Sequence, residues 1–539
     1  MTKDWDSYIE EQIHDFYHHK GINCAIGTLK LMSEIFDLPL ADQVYDAAIG
    51  MHGAGKYGAQ CGLLEGGLMF ITIYGKEKGL EKAGLVKLCY QWAETFEKTM
   101  EGIHCKDLRP YPFTPEDAPK HLCEPTTVKA VKLLKEFMER QVQVKLAAKY
   151  DFDQMFSRRG SNSFKWDAGA ADLLPMWVAD MDFAIAKPIQ EAIIHRAEHP
   201  VFGYSLPPAE YFEAPMGWLQ RRHGWKTEKS WYSHCPGIVP ALHIFAKAFF
   251  QPGEKVLMQM PVYYPFFGAA KKNNVPIVEN ELIYKDGRYE IDFADFEAKA
   301  KDPLVKVFYL CSPHNPGGRM WTKEELQKMG DICTDNGVLI ISDEIHCDLV
   351  FKNHGKKHIP MAAISEKIAR NTITAIAPSK TFNLAGLQTS FLIISNPEIK
   401  AKYDKFMDSL GIMRPNAFGI QASMAAFNEG DEWLEQALDY LEGNLEFLRQ
   451  YLAKHLPGIK IMEPDATYLI WLDFRELQVD SKVFHDALLE EGKVWLDEGY
   501  IFGPCGQGFE RINIACPQAL LEEGLNRMKS GLKKAGIIK

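Results

Sequence analysis

Three short apolar runs in the chain each break off into polar, turn-forming residues. VFYLC leads into Ser312-Pro-His-Asn315-Pro-Gly-Gly318, VLIIS into Asp343-Glu-Ile-His346, and ITAIA into Pro378-Ser-Lys380-Thr-Phe-Asn383. As strands of one parallel sheet they would bring their carboxyl ends, and so Asn315, Asp343 and Lys380, to one edge. Taken singly, Asn-Pro-Gly is a turn signal, Asp-Glu after a strand a helix cap, and Ser-Lys a solvated pair. Together, an amide, a carboxylate and an amine in one pocket suit pyridoxal phosphate. Lys380 would form the Schiff base, Asp343 would keep the pyridine nitrogen protonated so that the ring accepts electrons from a substrate Cα, and Asn315 would donate to the ring O3′.

The elements that must hold these groups follow from the apolar pattern. KVLMQM (255–260), VKVFYLC (305–311), GVLIIS (337–342), TITAIA (372–377) and SFLIIS (390–395) alternate with longer helical stretches. Continuous apolar strands of this kind predict an α/β fold with a mainly parallel sheet covered on both faces. The final hundred residues, with the helical LEQALDYLEGNLEFLRQYLAKHL before the strand-like TYLIWLDF, predict a smaller α+β domain. A length of 539 residues allows about three units. Ordinary usage, 46% hydrophobic and 25% charged, excludes a disordered, collagen-like or coiled-coil chain. With 61 Lys+Arg against 72 Asp+Glu, net −11, no global basic field exists to gather nucleic acid or anionic lipid. The acidic, polar first residues are unlike a secretory signal and no apolar run is long enough to span a bilayer, so a soluble, cytoplasmic protein is expected.

Ordered motifs from about residue 150 to 536 carry a specific resemblance. They include Arg159–Trp166 (RGSNSFKW), Pro175–Phe183 (PMWVADMDF), Phe202-Gly-Tyr204, Pro236–Val239 (PGIV), Pro261-Val-Tyr263, Tyr468–Asp473 (YLIWLD) and Arg511–Cys516 (RINIAC), beside the three already quoted. This part resembles a fold-type I pyridoxal phosphate enzyme of the aminotransferase class I/II superfamily, in the cystathionine β-lyase or cysteine-S-conjugate β-lyase branch. The resemblance implies a large mainly parallel sheet domain (about 190–430) and a small α+β domain (about 146–189 plus 431–539), within a unit spanning 146–539. It also implies roles. Lys380 is the Schiff-base lysine that then takes the Cα proton; Asp343 is the pyridinium partner, with His346 one helical turn on; and Asn315 lies near O3′. Tyr263 stacks on the ring, Gly237, Ile238, Val239 and Ser379 hold the phosphate, and Tyr204 reaches the phosphate of a neighbouring subunit, which implies a homodimer. Arg511 clamps the substrate α-carboxylate, with Ala179 and Tyr263 also at the substrate. One departure is Asp497-Glu498, where the family pattern has an acid followed by proline.

The implied reaction is β-elimination from L-cystathionine or related cysteine S-conjugates, giving thiol, pyruvate and ammonia. An amino acid aminotransferase begins with the same Cα carbanion, and only the resemblance favours the lyase. A pyridoxal phosphate-binding transcription regulator would need a basic DNA-binding head. Residues 1–145 instead hold 17 Lys+Arg against 21 Asp+Glu, net −4, without a recognisable helix-turn-helix.

Those 145 residues predict a mostly helical module, whose last helix is expected over about 126–149. They hold five of the 11 cysteines, which marks them as a separate unit. Within the glycine-rich stretch 50–67, Gly53, Gly55 and Gly58 spell G-x-G-x-x-G, and Gly50 to Lys56 spell most of a P-loop. Both are weak signals, since a helical pattern precedes them and Tyr57 stands where a P-loop has Ser or Thr. Cys24, Cys61, Cys105 and Cys123, at spacings of 37, 44 and 18, exclude a zinc ribbon. Over about 18–125 the arrangement resembles the small helical family named for a C-GCAxxG-C-C cysteine pattern and described as redox-active, imperfectly, because Gln60 precedes Cys61 and Gly62 follows it. The four are candidates for redox thiols or metal ligands, or are buried cysteines acting as small hydrophobes. Cys89, inside LVKLCYQW, is the expected bystander.

Overall fold

The computed structural model describes residues 4–78, 80, 82–108, 120–139, 150–412 and 414–539. Contacts divide the chain into two compact units, Met1–Lys149 and Tyr150–Lys539. Among the described residues no helix is long and apolar enough to cross a membrane.

The first unit is built on helices α1 (Trp5–Asp15), α2 (Cys24–Ile35), α3 (Asp42–Ala47), α4 (Gly62–Glu77), α5 (Lys82–Met100) and α6 (Glu124–Phe137). Asp4 starts α1 by accepting from the N–H groups of Asp6 and Ser7, and Asn23 starts α2 by accepting from Ile26. Such caps satisfy donors that a helix start leaves open. Ile9, Ile13, Leu29, Phe70, Trp92, Phe96 and Leu134 meet in one buried core. Gly67 lies so near the Trp92 indole that a Cβ would stand 2.3 Å from Nε1, so only glycine lets α4 and α5 approach this closely. The helix expected over about 126–149 corresponds to α6; positions 140–149 lie outside the described residues. Gly53, Gly55 and Gly58 follow α3 rather than a strand and take φ of +67°, +63° and +90°. Neither nucleotide-binding signature therefore has its strand–loop–helix frame.

The second unit centres on an eight-stranded sheet: β1 (Tyr232–Cys235), β2 (Lys255–Met260), β3 (Ile277–Lys285), β4 (Arg288–Ile291), β5 (Val305–Cys311), β6 (Leu339–Asp343), β7 (Thr372–Ile376) and β8 (Ser390–Ile394). Their order is β1-β8-β7-β6-β5-β2-β3-β4. The stretch β3-β2-β5-β6-β7 is parallel throughout. β8 runs against both of its neighbours, and β4 against β3. Val307, Tyr309 and Cys311 enter one core, and Phe308 and Leu310 another. This two-sided burial is why β5 reads as an apolar run from Val307 to Cys311. Helix α7 (Ile238–Ala248) packs Leu242, Phe245 and Ala246 into the first of these cores.

A second, antiparallel sheet takes the order β9-β10-β12-β11, from β9 (Lys460–Ile461), β10 (Leu469–Asp473), β11 (Asp497–Glu498) and β12 (Phe509–Asn513). Helices α8 (Asp431–His455) and α9 (Gln518–Lys534) share one core with it, through Leu438, Leu441 and Leu445 and through Leu521, Leu525 and Met528. Its register sets Arg511 on β12 opposite both Trp471 and Asp497.

Candidate active site

Register decides which side chains meet. Cys311, Asp343 and Ala375 are successive partners across β5, β6 and β7, so these strands end level with one another, about 4.8 Å apart. Past those ends, the turn after β5 carries Asn315, Asp343 closes β6, and the helical turn Pro378–Thr381 after β7 carries Ser379 and Lys380. Thr381 Oγ1 donates to Asp348 Oδ2 at 2.9 Å, while Trp218 Nε1 donates to Oδ1 of the same carboxylate at 2.9 Å. His223 Nε2 adds a third contact at 2.8 Å. These bonds pin the turn that presents Lys380.

A pocket of about 840 Å³, part of it open to solvent, is lined by ten residues singled out from the sequence: Lys380, Asp343, Asn315, Tyr263, His346, Ser379, Gly237, Ile238, Val239 and Ala179. Arg511 is not in this lining but adjoins it, its Nη1 donating to Asn315 Oδ1 at 3.1 Å. That bond occupies the amide oxygen and leaves Nδ2 as the donor end of Asn315. Tyr204 is 97% exposed and is not brought to the pocket of its own chain. His346 lies in a turn after β6, not one helical turn on from Asp343 as the resemblance implies. The turn arises because Ile345 N–H bonds back to Asp343 Oδ1 at 3.1 Å, and Cys347 N–H and Leu349 N–H bond three residues back.

Burial sets the electrostatics. Lys380 Nζ donates to the Ala179 carbonyl at 2.6 Å, which also accepts from Tyr468 Oη at 3.2 Å. Desolvation lowers the Lys380 amine to about 8; Asp180 and Asp343 oppose this shift and Arg511 adds to it. Desolvation likewise pushes Asp343 up to about 7, against the Ile345 hydrogen bond and the attraction of Lys380. His346 falls to about 3 through burial, so its ring is neutral at physiological pH, and its Nδ1 has no partner among the described residues. Helix α7 begins at the pocket wall with no side-chain cap. The open N–H groups and the dipole of such a helix start favour an anion.

Beside the pocket stands a buried ion pair. Arg511 Nη2 donates to Asp497 and, at 2.8 Å, to the Trp177 carbonyl. Both side chains of the pair are 2% exposed. Burial raises Asp497 to about 6, although Arg511 pulls it down. Arg511 Nε and Trp177 Nε1 are buried donors without an acceptor among the described residues. An unmet buried donor costs about 1–3 kcal/mol, so Arg511 Nε, on a side chain that adjoins the pocket, suits an incoming carboxylate.

Several contributors escaped the sequence reading. Cys311 Sγ accepts from Asn315 N–H at 3.3 Å and steadies that turn. Asp348 anchors the lysine turn, and Tyr468 shares the Ala179 carbonyl with Lys380. For Cys311 and Asp348 the only sequence signal was position, at the end of β5 and two residues after His346, and for Tyr468 it was its place at the head of YLIWLD.

Comparison with known proteins gives two family matches. Residues 180–528 match aminotransferase class I and II, and residues 22–137 match the family described as "Putative redox-active protein (C_GCAxxG_C_C)". The chain is 44% identical over 387 residues to cystathionine beta-lyase PatB of Bacillus subtilis, covering 71% of this chain and 100% of that protein. It is 33% identical to Protein MalY of Escherichia coli, covering 70% and 97%. Among solved structures, cystalysin from Treponema denticola, which contains pyridoxal 5'-phosphate, superimposes with a TM-score of 0.70 at 38% identity, over 72% of this chain and 100% of that one. The PLP-bound C-S lyase from Staphylococcus hominis gives 0.66 at 33% identity, over 72% and 99%.

Proposed function

From the premise that this chain belongs to the aminotransferase class I and II family, we propose that it is a pyridoxal phosphate-dependent carbon–sulfur lyase acting on L-cystathionine and related cysteine S-conjugates. The observation that carries this reading is the level ending of β5, β6 and β7, which gathers Asn315, Asp343 and Lys380 in one pocket. The donor set suits the cofactor. Asp343 is a buried carboxyl that gains from a partner bearing a proton, as a pyridine nitrogen would. The uncapped start of α7, with Ser379, offers donors to a phosphate. Asn315 Nδ2 is placed to donate to a ring oxygen, and Tyr263 supplies an aromatic face. When bound, pyridoxal phosphate supplies a sink for the electron pair left at the substrate Cα.

The chain's own groups then do the rest. Arg511 receives the substrate α-carboxylate. Lys380, neutral in an appreciable fraction of molecules near pH 7, takes the Cα proton at Nζ. The C–S bond breaks, its electrons leave with sulfur, and the proton held by Lys380 is available to the departing thiolate. Hydrolysis of the remaining three-carbon fragment gives pyruvate and ammonia, so one water is consumed per cystathionine. The direct test is to incubate the purified protein with L-cystathionine and titrate new thiol. Homocysteine released in a one-to-one ratio with substrate lost is expected; intact cystathionine would refute the reading.

Two further outcomes belong to this site. With its amine at about 8 instead of the usual 10.5, Lys380 of the cofactor-free protein is neutral in roughly a tenth of molecules at pH 7, a few hundred times more than an ordinary lysine. The rate of trinitrobenzenesulfonate labelling at Lys380, read by peptide mass mapping, should rise with pH and level off near 8. Labelling that still climbs towards pH 10 would show a solvated amine. Arg511→Lys replaces a planar fork by a point charge and should lower kcat/KM about 10²-fold or more, mainly through KM. An unchanged KM would remove Arg511 from the carboxylate site.

The assembly is a cytoplasmic homodimer. Tyr204 and its neighbours Val201, Phe202 and Leu206 are all exposed, and this apolar loop supports a subunit contact through which Tyr204 reaches the partner's phosphate site. The first unit serves the lyase as a thiol-bearing module.

A further inference from the structure

Four cysteines separated by 37, 44 and 18 positions converge in the first unit. The segments 59–61 and 103–105 are tied by Cys61 N–H to the Ile103 carbonyl at 2.8 Å and Cys105 N–H to the Ala59 carbonyl at 2.7 Å, with Gln60 and His104 as bridge partners. Cys61 and Cys105 thereby stand on neighbouring strands of chain, two positions apart in register. Cys24 opens α2, which packs against α4, and Cys61 immediately precedes α4. Cys123 immediately precedes α6. α6 packs against both α2 and α4, so Cys123 belongs to the same group of three packed helices as Cys24 and Cys61. Cys89 takes no part in this group: its Sγ contacts Thr72 Oγ1 at 3.3 Å and the Leu68 carbonyl at 3.9 Å.

The glycine-rich stretch explains itself at this cluster. A Cβ on Gly53, whose φ is +67°, would stand 3.1 Å from Cys105 Sγ and 2.9 Å from its Cβ. A Cβ on Gly62 would stand 2.8 Å from Cys24 Sγ. Backbone is thus wrapped against two of the sulfurs at distances that side chains would forbid. Tyr17 packs in the same core as Cys24 and Cys61, and its hydroxyl shares a hydrogen bond with Thr127 Oγ1 at 2.8 Å. Cys61 and Cys105 are 4% and 8% exposed.

Three helices of 12, 16 and 14 residues, α2, α4 and α6, begin at Cys24, just after Cys61 and just after Cys123. Each helix start contributes about half a positive charge. Four thiolates around a divalent centre leave a net charge of about −2, which such helix starts stabilise. Among the described residues no three of these sulfurs lie within 4.8 Å of one another. A single tetrahedral ion would therefore draw them inward, whereas a polynuclear centre takes thiolates that stand further apart.

We infer that Cys24, Cys61, Cys105 and Cys123 bind a thiolate-ligated metal centre, of the zinc or iron–sulfur class, within the first unit. All four cysteines belong to the first unit, and the inference does not depend on the lyase reading.

The test uses the full-length protein, purified without oxygen or chelator and analysed for zinc, iron and acid-labile sulfide. Cys24→Ala, Cys61→Ala, Cys105→Ala and Cys123→Ala are measured beside Cys89→Ala. About one zinc per chain, or iron with matching sulfide and visible absorbance, is expected in the parent and in Cys89→Ala. At least a tenfold loss is expected in each of the other four. The first pattern identifies a mononuclear site and the second a cluster. Protein isolated without metal is offered Zn²⁺ alone, and separately Fe²⁺ with sulfide. Failure to bind either in the parent protein, whose folding is not in question, overturns the inference. So does metal retained in the four single variants, or pairing of the four thiols as disulfides with no metal bound.

Discussion

Lys380→Ala should lower thiol release from L-cystathionine by roughly four orders of magnitude, the upper range for removing a positioned proton-transfer group that also holds the cofactor. No neighbour can replace the lost amine. His346 is held near 3 by burial and is too weak a base, and on the proposed reading Asp343 would face the ring nitrogen. The fold should survive, because the Ala179 carbonyl still accepts from Tyr468 Oη. Burial lowers the Lys380 amine, so in the cofactor-free protein its protonated form costs stability at pH 7 and its deletion relieves that cost. Steady-state kinetics with thermal unfolding check both halves. A small primary amine added to the variant should restore part of the rate, which a merely misfolded protein would not show.

Asp343→Asn should lower kcat by about 10³-fold, the scale of a buried, charge-bearing partner lost at 3–5 kcal/mol. Asparagine is nearly isosteric and still accepts from Ile345 N–H, but it cannot stabilise a protonated ring nitrogen. Stability should move the other way. The folded-state value of Asp343 is raised to about 7 from 3.8, so the cofactor-free protein loses stability as pH rises between those values and does not regain it above 7. The variant lacks that titration. At pH 8 its cofactor-free form should melt higher than the parent by an amount worth a few kcal/mol, and at pH 4 the two should nearly coincide. A site that loses activity while gaining stability is one where chemistry has been placed at the fold's expense. Equal melting temperatures at pH 8 would show that Asp343 is solvated and not poised.

The central strands were legible because burial on both faces leaves them few charged residues, and the turn residues at their ends then stood out. That is how Asn315, Asp343 and Lys380 could be placed before any coordinates. Strand direction was not legible: SFLIIS has the same apolar texture as its parallel neighbours, yet β8 runs against them. The pairing of Arg511 with Asp497 was equally hidden, because it depends on the register of β11 with β12 and not on either residue's neighbours in sequence. Asp497 had been noticed only as a departure from a motif. In the first unit, cysteines dozens of positions apart gave no local pattern. Their convergence comes from three helix starts and one bridge between 59–61 and 103–105, all long-range features. Tyr204 was legible only by resemblance, and a single chain leaves it in solvent.

The most direct measurement of the central claim is the product balance on L-cystathionine with no 2-oxo acid present. Pyruvate, ammonia and homocysteine formed in equal amounts, at a rate unaffected by adding a 2-oxo acid acceptor, are the expected result. Keto-acid formation that strictly requires the acceptor, with sulfur still bonded to carbon, would contradict it and make the enzyme an aminotransferase.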